Sequence, residues 1–199
     1  EILKAREAER ALRSAVSIPD GALRLCDQEV PSAALLWPLV TGLTPEAASD
    51  TYGMRYDPKT RRVLIPLEDG FLARAVFGER PKYIRAGADH VESYSLIVED
   101  QRDPLVITED ILSTIKVYRA GFSAMALLGT SVSATTAAKI GGFNRVISWT
   151  DGDKAGDAAF VKLRKRLGLY STVLRRIRTT EDPKELHINQ IQSLIRNTK

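Results

Sequence analysis

Leu105-Val106-Ile107-Thr108 is a short apolar run that ends on Glu109-Asp110, and about forty residues later Val146-Ile147-Ser148-Trp149 leads into Asp151-Gly152-Asp153. Apolar runs of this length bounded by polar residues predict buried strands. Each strand would then deliver carboxylates at its C-terminal end. Around them the pattern repeats: helix near 110–119 with Gly121 as its C-cap, strand 124–128, the Gly129-Thr130-Ser131 turn and helix near 133–140. Strand 145–149 precedes helix 154–167, and strand 172–177 precedes a last helix over 183–195 that opens on Pro183. Strands alternating with helices of about ten residues predict an α/β fold, a parallel sheet flanked by helices on both faces. Ligands of such sheets bind beyond the carboxyl ends of the strands, where both acidic motifs fall.

Carboxylates gathered at strand ends suit a divalent cation. Mg²⁺ takes oxygen ligands, commonly one or two carboxylates completed by phosphate and water. Asp151 and Asp153 are two apart, so an extended backbone sends both to one face. Glu109 comes from another strand that can lie beside theirs. The same residues also fit a plainer role: Asp151-Gly152-Asp153 as a turn and N-cap, Glu109 and Asp110 set against a helix dipole. Asp182, before Pro183, is either a further carboxylate of the site or the N-cap of the last helix.

The chain has 199 residues and a formal net charge of +4, with 44% hydrophobic residues, enough for one large or two small domains. One cysteine, Cys26, excludes an internal disulfide framework and a Cys-based zinc site, and points to a reducing, intracellular compartment. Cys26 itself is expected to be buried. No apolar run approaches the ~20 residues of a membrane span, and an opening at Glu1 suggests a fragment or processed product. Seven bases fall between Ala158 and Thr180 without an acid: Lys162, Arg164, Lys165, Arg166, Arg175, Arg176 and Arg178. Such a cluster suits a nucleic-acid backbone, or simply a solvated helix face. A net-basic chain with a metal site makes phosphate the natural partner and nucleic-acid chemistry the expected class.

Upstream, residues 1–15 predict a helix with a narrow apolar stripe, a weakly packed connector. Four prolines in 17–45 predict an irregular linker. Arg62-Val63-Leu64-Ile65-Pro66-Leu67 and Phe71–Phe77 predict strands joined by a hairpin turn at Asp69-Gly70, followed by the basic and aromatic Arg80–Arg85.

With these motifs in hand, the run Leu105–Glu109, Leu128-Gly129-Thr130-Ser131, Asp151-Gly152-Asp153-Lys154-Ala155-Gly156 and Asp182-Pro183 resembles the TOPRIM domain, in the version found in DnaG-type and bacteriophage primases. Arg62-Val63-Leu64-Ile65-Pro66 and Pro81-Lys82-Tyr83 resemble the small N-terminal subdomain of the primase RNA-polymerase core, and Trp37–Asp57 its lead-in in phage primases. The resemblance covers about residues 30–190. It implies a TOPRIM-like sheet over 103–199 with a C-terminal helix, a small mixed α+β subdomain over 46–102, and a helical connector and linker over 1–45.

The activity implied is that of a nucleotidyltransferase, a DNA primase making RNA primers on single-stranded DNA from ribonucleoside triphosphates. Mg²⁺ or Mn²⁺ would be held by Glu109, Asp151, Asp153 and Asp182, the first three catalytic. Arg62, Arg74, Lys82 and Lys154 would contact nucleotide or template, and Lys162, Lys165, Arg166, Arg175, Arg176 and Arg178 the nucleic-acid backbone. The zinc module of such primases is not in this sequence. A replicative helicase is the expected partner, no membrane is involved, and the setting is the bacterial cytoplasm, phage-encoded or host. Three positions depart from the family pattern: Asp110 stands where a glycine is usual, Ser113 where bacterial primases carry an aspartate, and Lys184 where a second acid would follow. A nuclease using the same carboxylates, and a non-catalytic nucleic-acid-binding replication protein, are the alternatives.

Overall fold

The structure, a computed structural model, describes residues 2–87, 92–99, 103–129, 132–150 and 154–198. The chain divides into two compact units, Glu1–Val91 and Glu92–Lys199. Among the described residues no helix is long and apolar enough to cross a membrane.

The first unit is an antiparallel sheet in sequential order, β1 (Leu23–Arg24), β2 (Arg55–Asp57), β3 (Arg62–Leu67), β4 (Gly70–Ala75) and β5 (Tyr83–Gly87), with helices α1 (Ile2–Ser14), α2 (Ser32–Leu39) and α3 (Pro45–Asp50). Two sequence expectations change here. Helix α1 is no loose connector, because Leu12 is buried in one cluster with Leu64, Phe71, Ala73, Ile84 and Ala86 of the sheet. The proline-rich stretch 17–45 is no irregular linker either. It contains β1 and α2 and buries Leu25, Ala34 and Leu43, with Pro31 as the N-cap of α2 and Pro38 inside that helix. Cys26 is half-buried rather than buried.

The β3–β4 hairpin turns through Glu68 and Asp69, so Gly70 is the first residue of β4 and pairs with Gly87 of β5. Gly70 has a φ of +119°, and a Cβ there would collide with the Ala86 carbonyl and lie 2.9 Å from the Gly87 Cα. Only glycine permits both that dihedral and that approach.

The second unit is a three-layer α/β structure. Its sheet runs β10 (Val173–Arg176), β9 (Arg145–Ser148), β7 (Leu105–Thr108), β8 (Ser123–Leu127), β6 (Ser93–Leu96). The first four strands are parallel, and β6 is an antiparallel edge. The expected alternation of strand and helix is therefore observed, with α4 (Ile111–Arg119), α5 (Ala134–Gly141) and α6 (Lys154–Leu167) as crossovers. Strands buried on both faces need apolar side chains at successive positions, which is why β7 and β9 read as continuous runs. Val106 and Ile147 turn to one face, toward α4 and the final helix α7 (Ile188–Asn197). Leu105, Ile107 and Val146 turn to the other, toward α5 and α6.

The last helical segment departs from expectation. Pro183–Glu185 is a single 3-10 turn, and α7 begins only at Ile188, with His187 as its N-cap. Leu186 between them is extended and buried in the core beneath α4 and α7, which a continuous helix would not permit.

Replacing Gly70 with alanine is expected to destabilise the first unit by more than about 1 kcal/mol, read as a lower urea midpoint at unchanged slope.

Candidate active site

Strand β7 has β8 on one side and β9 on the other, so the crossover leaving β7 runs toward β8 and that leaving β9 runs the opposite way, toward β10. That reversal opens a crevice beyond the carboxyl ends of β7 and β9, the usual ligand position in such sheets. Ile107 pairs with Ser148, and the Trp149 N–H donates to the Ile107 carbonyl at 2.8 Å. The residues after the two strands therefore leave the sheet side by side. Glu109 leaves β7 exposed to solvent, opposite Trp149 and Thr150 on the continuation of β9. Asp151 and Asp153, next in the chain, lie outside the described residues, as do Thr130 and Ser131 of the expected turn.

Further bonds hold this end of the sheet in place. The Trp149 indole N–H donates to Thr179 Oγ1 at 2.8 Å, and the Ile177 N–H donates to the Ser148 carbonyl at 3.0 Å. At the opposite end, Asp103 accepts from the Asn144 backbone and side chain at 3.0 and 2.7 Å, fixing where β7 and β9 begin. The α5 N-terminus, which follows β8, is capped from within: Glu92 accepts from the Ser133 N–H and the Thr136 hydroxyl, both at 3.0 Å.

The neighbouring acids are already engaged. Asp110 is the N-cap of α4, accepting from the Ser113 N–H at 3.0 Å and the Ser113 hydroxyl at 2.9 Å. Asp182 caps the 3-10 turn, its N–H donating to Glu185 Oε2 at 3.2 Å. Lys184 joins the two acids, its ammonium 3.0 Å from Asp110 Oδ2 and hydrogen-bonded to Asp182 Oδ2. Burial lowers the pKa of Lys184, but its bonds to Asp182 and Asp110 outweigh that, so it lies well above the usual lysine range. Among the described residues no three acidic, His or Cys side chains converge as a cation site. The donor chemistry still suits a hard divalent ion at Glu109 and the acids that follow β9. Asp182, the fourth expected ligand, has its carboxylate on the Lys184 ammonium.

The basic stretch does not form one surface. Lys162, Lys165 and Arg166 are exposed on α6 and rim a cavity of about 560 Å³ whose apolar wall includes Ala137, Leu169 and Tyr170. Arg176 is only 8% exposed and pairs with Asp157 of α6, with Phe160 stacked under its guanidinium. Arg178 bonds the same carboxylate at 3.1 Å. The hydrogen bond from Arg176, with both arginine charges nearby, holds the Asp157 carboxyl below its usual range. Arg176 is thus a tie between β10 and α6, not the open backbone contact expected of it. Arg175 and Lys154 are exposed. Asp157 escaped notice because it lies one residue ahead of the acid-free run.

In the first unit Arg62 is fully buried. Its guanidinium donates to Glu9 Oε1 at 2.9 Å and to the Pro81 carbonyl at 2.8 Å, binding α1 and the β4–β5 connection to β3. Contact with nucleotide or template would require those bonds to open, so the position expected of Arg62 is corrected to a structural one. Arg74 is half-buried, its guanidinium 4.8 Å from the Trp37 ring and 5.4 Å from that of Tyr83, whose hydroxyl accepts from it at 2.6 Å. Lys82 is exposed beside the same Tyr83 ring, at 5.6 Å. Trp37 and Tyr83 belong to the segments that carry the family resemblance but were not among the expected site residues. Their aromatic character was visible, but not their convergence on Arg74.

Residues 106–187 match the family model described as Toprim-like. Among solved structures, the chain is similar to the Aquifex aeolicus primase zinc-binding and RNA-polymerase domains, at 18% identity and a TM-score of 0.72, covering 98% of this chain and 61% of that one. It is also similar to the DnaG catalytic core, at 19% identity and a TM-score of 0.68, covering 88% of this chain and 75% of that one. The primase fragment of the bacteriophage T7 primase-helicase protein matches at 15% identity and a TM-score of 0.50, covering 94% and 83%. No curated protein matches the sequence. The second unit thus carries a Toprim-like region, and the chain has the fold of TOPRIM-containing primase cores. It spans 61% of the Aquifex aeolicus chain's length.

Loss of Glu9 would strand the buried Arg62 charge. Glu9→Ala is expected to destabilise the first unit by about 3 kcal/mol, the lower end for a broken buried pair because Glu9 is 27% exposed, seen as a fall in the denaturant midpoint.

Proposed function

We propose that this chain is the catalytic core of a DNA primase, a nucleotidyltransferase that condenses ribonucleotides on a single-stranded DNA template. The observation that carries this reading is Glu109 at the β7–β9 reversal, beside the strand continuation that leads to Asp151-Gly152-Asp153, on a fold shared with primase cores. Glu109, Asp151 and Asp153 would hold Mg²⁺ or Mn²⁺, which when bound neutralises triphosphate charge and favours an in-line displacement. Glu109 is exposed at a strand end whose backbone is held by the Trp149–Ile107 bond, a position open to an incoming triphosphate.

Lys82 and Lys154 are exposed cations suited to triphosphate or template phosphates. Arg74, held over the Trp37 ring and hydrogen-bonded to the Tyr83 hydroxyl, suits a positioning role beside Lys82. Lys162, Lys165 and Arg166 share one face of α6 and are the favoured backbone contacts, joined by Arg175 and Arg178. A bacterial cytoplasmic setting, of host or phage origin, belongs to this reading. So does a replicative helicase partner, since one structural neighbour is the primase part of a primase-helicase. The engagement of Asp110 and Asp182 by Lys184 favours one second reading, a nucleic-acid-binding replication protein without catalysis.

Ribonucleotide incorporation on single-stranded DNA with Mg²⁺ or Mn²⁺ decides between them, with a pre-annealed primer supplied in parallel. Template-dependent RNA is expected, falling at least about a hundredfold in Asp151→Asn and Asp153→Asn, since a metal's charge stabilisation is worth several kcal/mol. Silence even with a primer, from a folded protein that binds DNA, overturns the polymerase reading, and cleavage without triphosphates assigns a nuclease. In the same preparations, replacing Lys162, Lys165 and Arg166 with glutamine should reduce the salt slope of single-stranded DNA binding by about 2, at ~0.7 per phosphate contact. An unchanged slope removes α6 from the interface.

A further inference from the structure

Lys184 lies in the 3-10 turn that follows β10, and its ammonium sits between carboxylates from two separate elements. One is Asp110, at the junction of β7 and α4, 74 residues away in sequence. The other is Asp182, two residues back. Two carboxylates converging on one point is the arrangement that ordinarily draws a hard divalent cation. Here the charge at that point belongs to the chain.

The remaining acceptor capacity is small. Asp110 Oδ1 accepts from the Ser113 N–H, and Oδ2 accepts from both the Ser113 hydroxyl and Lys184. That uses three of the roughly four lone-pair sites of a carboxylate. Ser113 donates a hydrogen bond at this position and adds no negative charge. The cluster therefore holds two carboxylates and one ammonium, a net charge too small to compete for a dication. A tethered ammonium also arrives without the entropy cost of capturing a free ion. All three side chains are partly screened from solvent, Lys184 at 24%, Asp110 at 31% and Asp182 at 35% exposure.

We infer that Lys184 is a built-in cation that withholds Asp110 and Asp182 from metal, so that the chain binds one divalent ion fewer than its acids suggest. This rests on the reading of Glu109, Asp151 and Asp153 as the metal-holding set. Asp182 is then a positioning residue that fixes Lys184, rather than a ligand. Removing the ammonium leaves two carboxylates facing each other, and Mn²⁺ relieves that repulsion.

The test counts bound Mn²⁺ from the loss of the free-ion electron paramagnetic resonance signal, using metal-free wild type, Lys184→Gln, Asp182→Asn and the double variant. Lys184→Gln is expected to bind one more ion than wild type, and the double variant to lose it. Asp182→Asn is expected to match wild type. An equal, non-zero count for wild type and Lys184→Gln, or an ion lost in Asp182→Asn, overturns the inference while leaving the metal site standing. An ion bound only by Lys184→Gln and dependent on Asp182 supports the inference and overturns the Glu109, Asp151 and Asp153 set. No ion on any protein overturns both. Should Lys184→Gln fail to fold by circular dichroism, Asp182→Asn alone decides, by matching wild type or by losing an ion.

Discussion

The candidate site depends on the placement of β7 between β8 and β9. Had the second crossover gone to the same side as the first, β9 would lie beyond β8, and its acids would emerge a strand away from Glu109. The reversal makes β7 and β9 direct neighbours, and parallel pairing then aligns their carboxyl ends. Register does the rest. Ile107 opposite Ser148, and the Trp149 N–H on the Ile107 carbonyl, leave Glu109 and Thr150 departing the sheet together. Asp103 at the opposite end resists a slip in that register, because it clamps Asn144 where β9 begins. A slip of one residue would turn every side chain of a strand to the other face.

Charge is distributed over this frame with a consistent logic. The buried arginines are held by carboxylates, while several lysines and arginines stay exposed. Arg62 pairs with Glu9, Arg176 with Asp157, and Lys184 with both Asp110 and Asp182. Lys82, Lys154, Lys162, Lys165 and Arg166 remain in solvent. Exposed, unscreened cations are the ones able to exchange their counterions for phosphate. These pairs serve packing, tying α1 to β3, α6 to β10 and the start of α4 to the 3-10 turn.

Much of the frame was legible because it follows from local rules. Parallel strands buried on both faces must be apolar at successive positions, so β7, β8 and β9 stand out, and α6 begins and ends where its periodicity and Gly168 indicate. Edge strand β6 was missed because Ser93–Leu96 is short and mixed, and its place is set by antiparallel pairing with β8 across a long gap in the chain. Prolines misled over 17–45. Pro31 and Pro38 serve a helix start and a tolerated helix position, while the packing of Leu25, Ala34 and Leu43 orders the segment. At the site, strand-end acids were visible as a pattern, but their partners were not. Lys184 with Asp110 and Arg62 with Glu9 are contacts made by the fold over 74 and 53 residues, and no spacing rule reaches them.

The most direct test of a metal centre at the carboxyl ends of β7 and β9 is paramagnetic broadening by Mn²⁺ of backbone amide resonances in the isotope-labelled chain. A metal centre there predicts that substoichiometric Mn²⁺ first erases the signals of Glu109 and Thr150, and leaves those of Lys162 and Lys165 on the exposed face of α6 intact. Broadening centred on the α6 face, with the Glu109 and Thr150 signals preserved, would contradict it.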